Sequence, residues 1–104
     1  MKKAKVFVND IYAAELIEIK KGSKYQLIYD DAYQGQSVSL TMPCSKKVYD
    51  FDQFPPFFEG LLPEGFMLEA LLRKAKIDKY DFFEQLMRVG EDMVGNVTVK
   101  KEEL

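Results

Sequence analysis

The stretch AKVFVNDIYAAELIEI, residues 4–19, reads as a strand, a turn and a second strand. Each arm is rich in β-branched, aromatic and aliphatic residues, which suit a pleated, half-buried surface. Between the arms stand Asn9 and Asp10, whose short polar side chains tolerate the positive φ angles of a two-residue hairpin turn. The stretch therefore predicts an antiparallel hairpin, and the sequence after it extends the sheet. KKGSK, residues 20–24, centres a second turn on Gly22, and YQLIY, residues 25–29, adds a strand before the polar DDAYQGQ, residues 30–36, breaks the run. SVSLTM, residues 37–42, alternates as a fourth strand should, and Pro43 ends it because proline has no amide hydrogen to give to a ladder.

In the second half the apolar period lengthens from two to about 3.6. Pro55 and Pro56 suit the first turn of a short helix over 56–61, and Pro63 suits the first turn of a longer one over 63–75. Leu68, Leu71, Leu72 and Ala75 share one face of that longer helix. Asp78 is placed to N-cap a third helix with an apolar face of Tyr80, Phe82, Phe83, Leu86 and Met87, and Gly90 to end it in the left-handed conformation. MVGNVTV, residues 93–99, reads as a last strand, and KKEEL as a charged, frayed tail. Strands, then helices, then one strand predict an α+β fold: a mainly antiparallel sheet of about five strands with two to three helices packed on one side. No repeat or linker divides residues 1–104, which read as a single domain.

Composition narrows the function classes. With 47% hydrophobic and 31% charged residues the chain can close a core, and its interspersed charges leave no membrane span. Fifteen Lys and Arg against seventeen Asp and Glu give a net charge of −2, so no global positive field attracts a phosphate backbone. The basic start MKKAKVFVND lacks the continuous apolar region of a signal peptide, and the lone Cys44 has no disulfide partner, which together suggest a cytoplasmic location. There is no histidine, so Ser-His and Cys-His nucleophile pairs are excluded, and with one cysteine so is an ordinary zinc site. Asp30/Asp31 and Glu91/Asp92 are adjacent pairs that read as solvated turn charges, since neighbours on a strand point to opposite faces. GEDMVG, residues 90–95, lacks the Gly-Lys-Ser/Thr ending of a phosphate loop. Lys46 and Lys47 lie near Cys44, but a structural thiol is the simpler reading. No catalytic residue, metal or cofactor is expected, and binding is the better class.

FFEGLLPEGF, residues 57–66, is the segment to weigh for binding. Phe57 and Phe58 read as core, because a domain this small needs large side chains to bury enough area. Phe66 differs. At about 100° per residue, with Phe66 at zero, the face of Leu71, Ala75, Leu68 and Leu72 falls between about 140° and 240°. Phe66 then points away from the core, among Glu69, Ala70, Arg73 and Lys74. The residues alone leave two readings, a lone exposed phenylalanine or an anchor for a partner protein.

With VSLTMP at 38–43, FFEGLLPEG at 57–65 and DFFEQLMRVGEDMVGNVTV at 81–99, the chain resembles the N-terminal subdomain of HipA-family Ser/Thr kinases over nearly its whole length. Such kinases continue with a nucleotide-binding loop, a catalytic Asp and metal ligands that this sequence lacks, so phosphoryl transfer is not expected of it. A free-standing subdomain of this kind is similar to the HipS family, small antitoxins of HipBST systems in which HipT is a kinase toxin and HipB a DNA-binding partner. The resemblance implies docking on a HipT-like kinase, with a HipB-like protein in a ternary complex and no direct nucleic-acid or membrane contact. On that expectation Gly60, Leu61, Leu62, Pro63, Glu64 and Gly65 face the kinase cleft, Phe66 inserts, and Glu64, Glu69 and Arg73 form the rim. Two alternatives stay open: an assembly or activating subunit of a split kinase, and a corepressor in a HipB-containing complex.

Overall fold

Asn9 and Asp10 have φ angles of 51° and 66°, the left-handed pair that a type I′ hairpin requires. Around them β1 (Lys2–Val8) and β2 (Ile11–Lys20) pair antiparallel in a computed structural model that describes residues 1–90 and 95–102. Gly22, at φ 79°, turns the chain from β2 into β3 (Lys24–Tyr29). β4 (Val48–Phe51) pairs with β3, and β5 (Val97–Lys101) returns to the free side of β1. The order is β4-β3-β2-β1-β5 with every pair antiparallel. Among the described residues three helices lie between β4 and β5: α1 (Pro56–Glu59), α2 (Gly65–Ala75) and α3 (Phe82–Val89). The expected α+β class, with its five strands, is the one formed.

The pleat sorts the side chains. Ala4, Val6, Ala14, Leu16, Leu27, Tyr29 and Val99 are buried on one face, and Phe54, Phe58, Phe83 and Leu86 from the helical half close over them. Each buried phenylalanine contributes on the order of 2–3 kcal/mol. At Ala13 a bulge leaves that residue without a partner on β1, since Val6 faces Ala14 and Phe7 faces Tyr12. Both alanines are buried as a result.

Residues 37–42 correct the expected fourth strand. They form a tight turn closed by one bridge between Ser39 and Met42, in which Met42 N donates to Ser39 O at 3.0 Å and Thr41 N to Ser39 Oγ at 3.2 Å. Hydroxyls that bond the local backbone compete with a ladder for the same groups. Instead, VYDF at 48–51 pairs with β3, a run too short for its alternation to stand out in sequence.

The helix bounds also shift. α1 stops at Glu59, and Leu61 and Leu62 continue only as turns bonded to Phe58 O and Glu59 O. Pro63 lies outside α2, which begins at Gly65 after the extended Glu64. Asp81, not Asp78, caps α3 by accepting from Glu84 N at 3.3 Å. Asp78 accepts from Tyr80 N at 2.8 Å in a local turn, and Tyr80 is exposed rather than part of the apolar face. Phe83 and Leu86 are buried and Phe82 and Met87 half-buried, as expected. The expected frayed tail is corrected for residues 100–102: Lys100 and Lys101 belong to β5, and Glu102 N donates to Lys3 O at 3.1 Å. The Glu91/Asp92 pair, residues 93 and 94 of the expected last strand, and Glu103 and Leu104 lie outside the described residues.

Gly90 ends α3 with φ −59°, a right-handed angle that needs no glycine. Space is the reason instead, because a Cβ there would lie 2.4 Å from Val99 O and 2.7 Å from Leu86 O. The same approach lets Gly90 O accept from Val99 N at 2.9 Å. Gly90→Ala is expected to lose about 1–3 kcal/mol by overpacking, read as a lower urea midpoint. An alanine variant as stable as wild type would contradict the close approach. Lys76, which ends α2 at φ 56°, points the other way: Lys76→Gly is expected to raise stability by about 1 kcal/mol in the same titration.

Candidate functional site

Among the described residues no group of three or more Cys, Asp or Glu side chains is gathered to hold a metal ion. Nor is any helix there long and apolar enough to cross a membrane. Cys44 is half-buried, its Sγ 3.6 Å from Gly35 O and its N–H bonded to Ser37 Oγ at 2.9 Å. An open groove of about 680 Å³ runs between the ends of β1 and β5 and α3, floored by Met1, Phe83 and Met87. Lys2 and Glu84 meet across it at 2.6 Å, and that hydrogen bond holds the Lys2 ammonium above its ordinary pKa. Lys3, Lys101 and Glu102 also line it, so its charges are mixed, with cations in excess. Glu15, on the sheet face away from the helices, is pushed above the usual carboxylate range by burial, then by the charge of Glu102 and a hydrogen bond shared with it.

α2 is the exception to the rule of one buried face. Its apolar side, Leu68, Leu71, Leu72 and Ala75, faces inward as the helical wheel predicts, but all four are only half-buried, and no residue of α2 is fully buried. On the opposite side Phe66 is 90% exposed and Met67 is 72% exposed. Ala70 is exposed next to them, and Glu69, Arg73 and Lys74 complete the rim. Gly65 makes this arrangement with φ 60° at the first position of the helix, a backbone angle that glycine adopts without a Cβ clash.

The residues singled out from sequence divide into two groups. Gly60, Glu64, Gly65, Phe66, Glu69 and Arg73 are exposed. Leu61, Leu62 and Pro63 are half-buried, and the two leucines pack against the core cluster, so they moor the loop more than they present it. Phe58 is buried and Phe57 half-buried, with ring centroids 5.2 Å apart in an edge-to-face pair. The sequence reading missed Met67, although its place one residue after Phe66 puts it about 100° round the helix, still outside the buried arc. It also missed Gln85, a buried amide in α3 whose Nε2 donates to Lys79 O at 3.0 Å and Asp78 O at 3.3 Å. Gln85 fixes the connection after α2 and so the helix's far end. Its signal was a polar residue amid the apolar face of α3.

The site has an apolar pair, Phe66 and Met67, exposed on a lightly packed helix with charges around it. Comparison with known proteins identifies the family of the fold. The chain matches the family described as HipA N-terminal domain over residues 4–100. An uncharacterized protein of Haemophilus influenzae is 30% identical over 102 residues, covering 98% of this chain and 94% of the relative. A solved structure named the N-terminal domain of HipA toxin has a TM-score of 0.77 at 29% identity, covering 99% of this chain and 94% of that one.

Glu15 provides a test of the electrostatics. A carboxyl whose pKa is raised on folding adds stability below its unfolded pKa and loses it as pH rises through the folded value. Lys3, 4.0 Å from Glu15, only partly offsets this. Glu15→Gln is therefore expected to melt above wild type at about pH 7 and together with it near pH 3, below the ordinary glutamate pKa. A variant that melts lower at neutral pH would show that the Lys3 pair dominates.

Proposed function

The chain belongs to the HipA N-terminal domain family, and on that premise we propose that it is an antitoxin of the HipS kind, binding and neutralising a HipA-like Ser/Thr kinase of the HipT type. The observation that carries this reading is Phe66, with Met67 beside it, standing in solvent on a helix with no fully buried residue. Leaving a phenylalanine in water forgoes on the order of 2–3 kcal/mol of burial, which a partner's pocket recovers. A phenylalanine on the first turn of a helix, with Glu64, Glu69 and Arg73 exposed around it, has the layout of a hot spot within a polar rim.

In this reading the loop Gly60–Gly65 and the first turns of α2 enter the kinase cleft, and Phe66 excludes nucleotide or protein substrate by occupying space. A contact of ~800 Å² per partner is roughly 12% of the chain's 6902 Å² surface. A HipB-like DNA-binding protein joins as a third component through the kinase, in the cytoplasm. The family name itself keeps one rival in play, because a domain named from a kinase-type toxin could assist the catalytic part instead of blocking it. Sign separates them: co-expression that restores growth to cells making the cognate kinase supports neutralisation, and co-expression that deepens arrest supports assembly.

Phe66→Ala is expected to weaken binding to the purified kinase by at least ~2 kcal/mol, about thirtyfold, and to lose growth rescue. Its side chain is outside the core, so the melting temperature is expected to hold. A folded variant that still neutralises the kinase would sink the insertion.

A further inference from the structure

Among the described residues β4 pairs with β3 on one side and with no strand on the other. Its backbone bonds alternate in direction, as in any antiparallel ladder. Tyr29 N donates to Lys47 O at 2.9 Å, so Lys47 is turned toward β3, and by the register Leu27–Tyr49 and Tyr25–Phe51 so are Tyr49 and Phe51. The amides and carbonyls of Val48 and Asp50 therefore point to the outer side. Around them KKVYDFD, residues 46–52, sets cations at its start and anions toward its end. Lys46, Lys47, Asp50 and Asp52 are all exposed. Lys47 meets Asp31, and Asp50 Oδ1 accepts from Gln26 Nε2 at 2.7 Å. Lys46 lies over the Tyr49 ring, 5.1 Å from its centroid, and among the described residues neither Lys46 nor Asp52 is in an ion pair.

We propose that the outer margin of β4 pairs with the same margin of a second copy of this chain, antiparallel, about a two-fold axis at Tyr49. Charge order is the argument for a second copy. A strand that is cationic at one end and anionic at the other is complementary to itself once reversed, and an antiparallel pair reverses it. In this register Val48 of each copy stands opposite Asp50 of the other, and these are the residues whose backbone groups point outward, so each such pair exchanges both of its bonds. Lys46 of each copy comes opposite Asp52 of the other, which gives two charges left without an ion pair in one chain their counter-ions in the next. Neighbouring registers are worse. A shift of one residue sets outward groups against inward ones, a shift of two in one direction sets Asp50 against Asp50, and a shift of two in the other leaves Asp52 without a partner. Residues 46–52 are fewer than the roughly 20–30 that a standard interface draws from each side, so the dimer is weak and forms at high concentration. It is independent of any kinase, since the chain alone supplies both halves.

The test sediments the full chain alone, from about 10 μM to about 1 mM, as wild type, as Lys46→Asp, as Asp52→Lys and as an equal mixture of the two variants. Wild type is expected to pass from monomer toward dimer across that range, and less readily in added salt, which screens exposed charges. Each single reversal sets like charges against each other at both ends of the paired strands and is expected to raise the dimer Kd on the order of tenfold. In the mixture the reversed ends meet opposite charges again, so a mixed dimer as tight as wild type is expected. Amide exchange in the wild-type chain reads the same contact without any substitution: the Val48 and Asp50 amides are expected to slow as concentration rises, while those of Tyr49 and Phe51, turned toward β3, are protected throughout. A chain that stays monomeric at about 1 mM overturns the proposal. So does a dimer that neither reversal weakens, a mixture no tighter than its parts, or a dimer whose Val48 and Asp50 amides exchange as fast as in the monomer.

Discussion

Ala4, Leu16 and Leu27 stand opposite one another across β1, β2 and β3, with no side chain of the row reaching solvent, and Tyr49 of β4 continues it. The other elements are arranged around that row. A slip of one residue in any pairing would turn a strand's apolar set outward, so the Asn9-Asp10 turn and the Ala13 bulge are constraints on the core as well as on the backbone. Once one face of the sheet is committed to burial, the chain after β4 has to cover it. Phe54, Phe58, Phe83 and Leu86 do so from α1, α3 and the segment leading into them.

Burial is spent unevenly among the helices. α3 inserts Phe83, Gln85 and Leu86 completely, while α2 inserts nothing completely and is fixed by its ends. Gly65 begins it in a left-handed angle, Lys76 ends it in another, and Gln85 holds the loop that follows. A helix attached in this way can present side chains outward without weakening the core, because little of the core depends on it. Core burial and outward display are thereby assigned to different segments of a short chain.

What could be read from residues alone follows this division. The hairpin was legible because Asn9 and Asp10 act through local backbone preference, and the outward direction of Phe66 because helical geometry is periodic. The resemblance to the kinase subdomain was legible from motif order, and the family match over residues 4–100 upholds it. The turn at 37–42 was not legible, since alternating residues look alike whether the hydroxyls between them face a ladder or fold back on their own backbone. Asp78 and Asp81 both fit an N-cap, and only the position of Glu84 N decided between them. Gly90 carries the signal of a left-handed cap but is needed for clearance from Val99, a residue distant in the ladder and invisible to local rules. Met67 was overlooked because a methionine beside a phenylalanine reads as more core until the helix is set down.

The carbonyl of Gly90 has a consequence beyond the helix it ends. β5 is an outer strand, and the amide of Val99 points away from β1, where Gly90 O occupies it. A strand from another molecule arriving at that margin would find the donor taken and the backbone of α3 in its way. β4 bounds the sheet on the opposite side with only four residues. A sheet that can be templated on both margins can grow without limit, whereas one blocked at a margin can at most pair once. The glycine that gives α3 its clearance thus also helps keep the molecule from becoming the first link of a fibre.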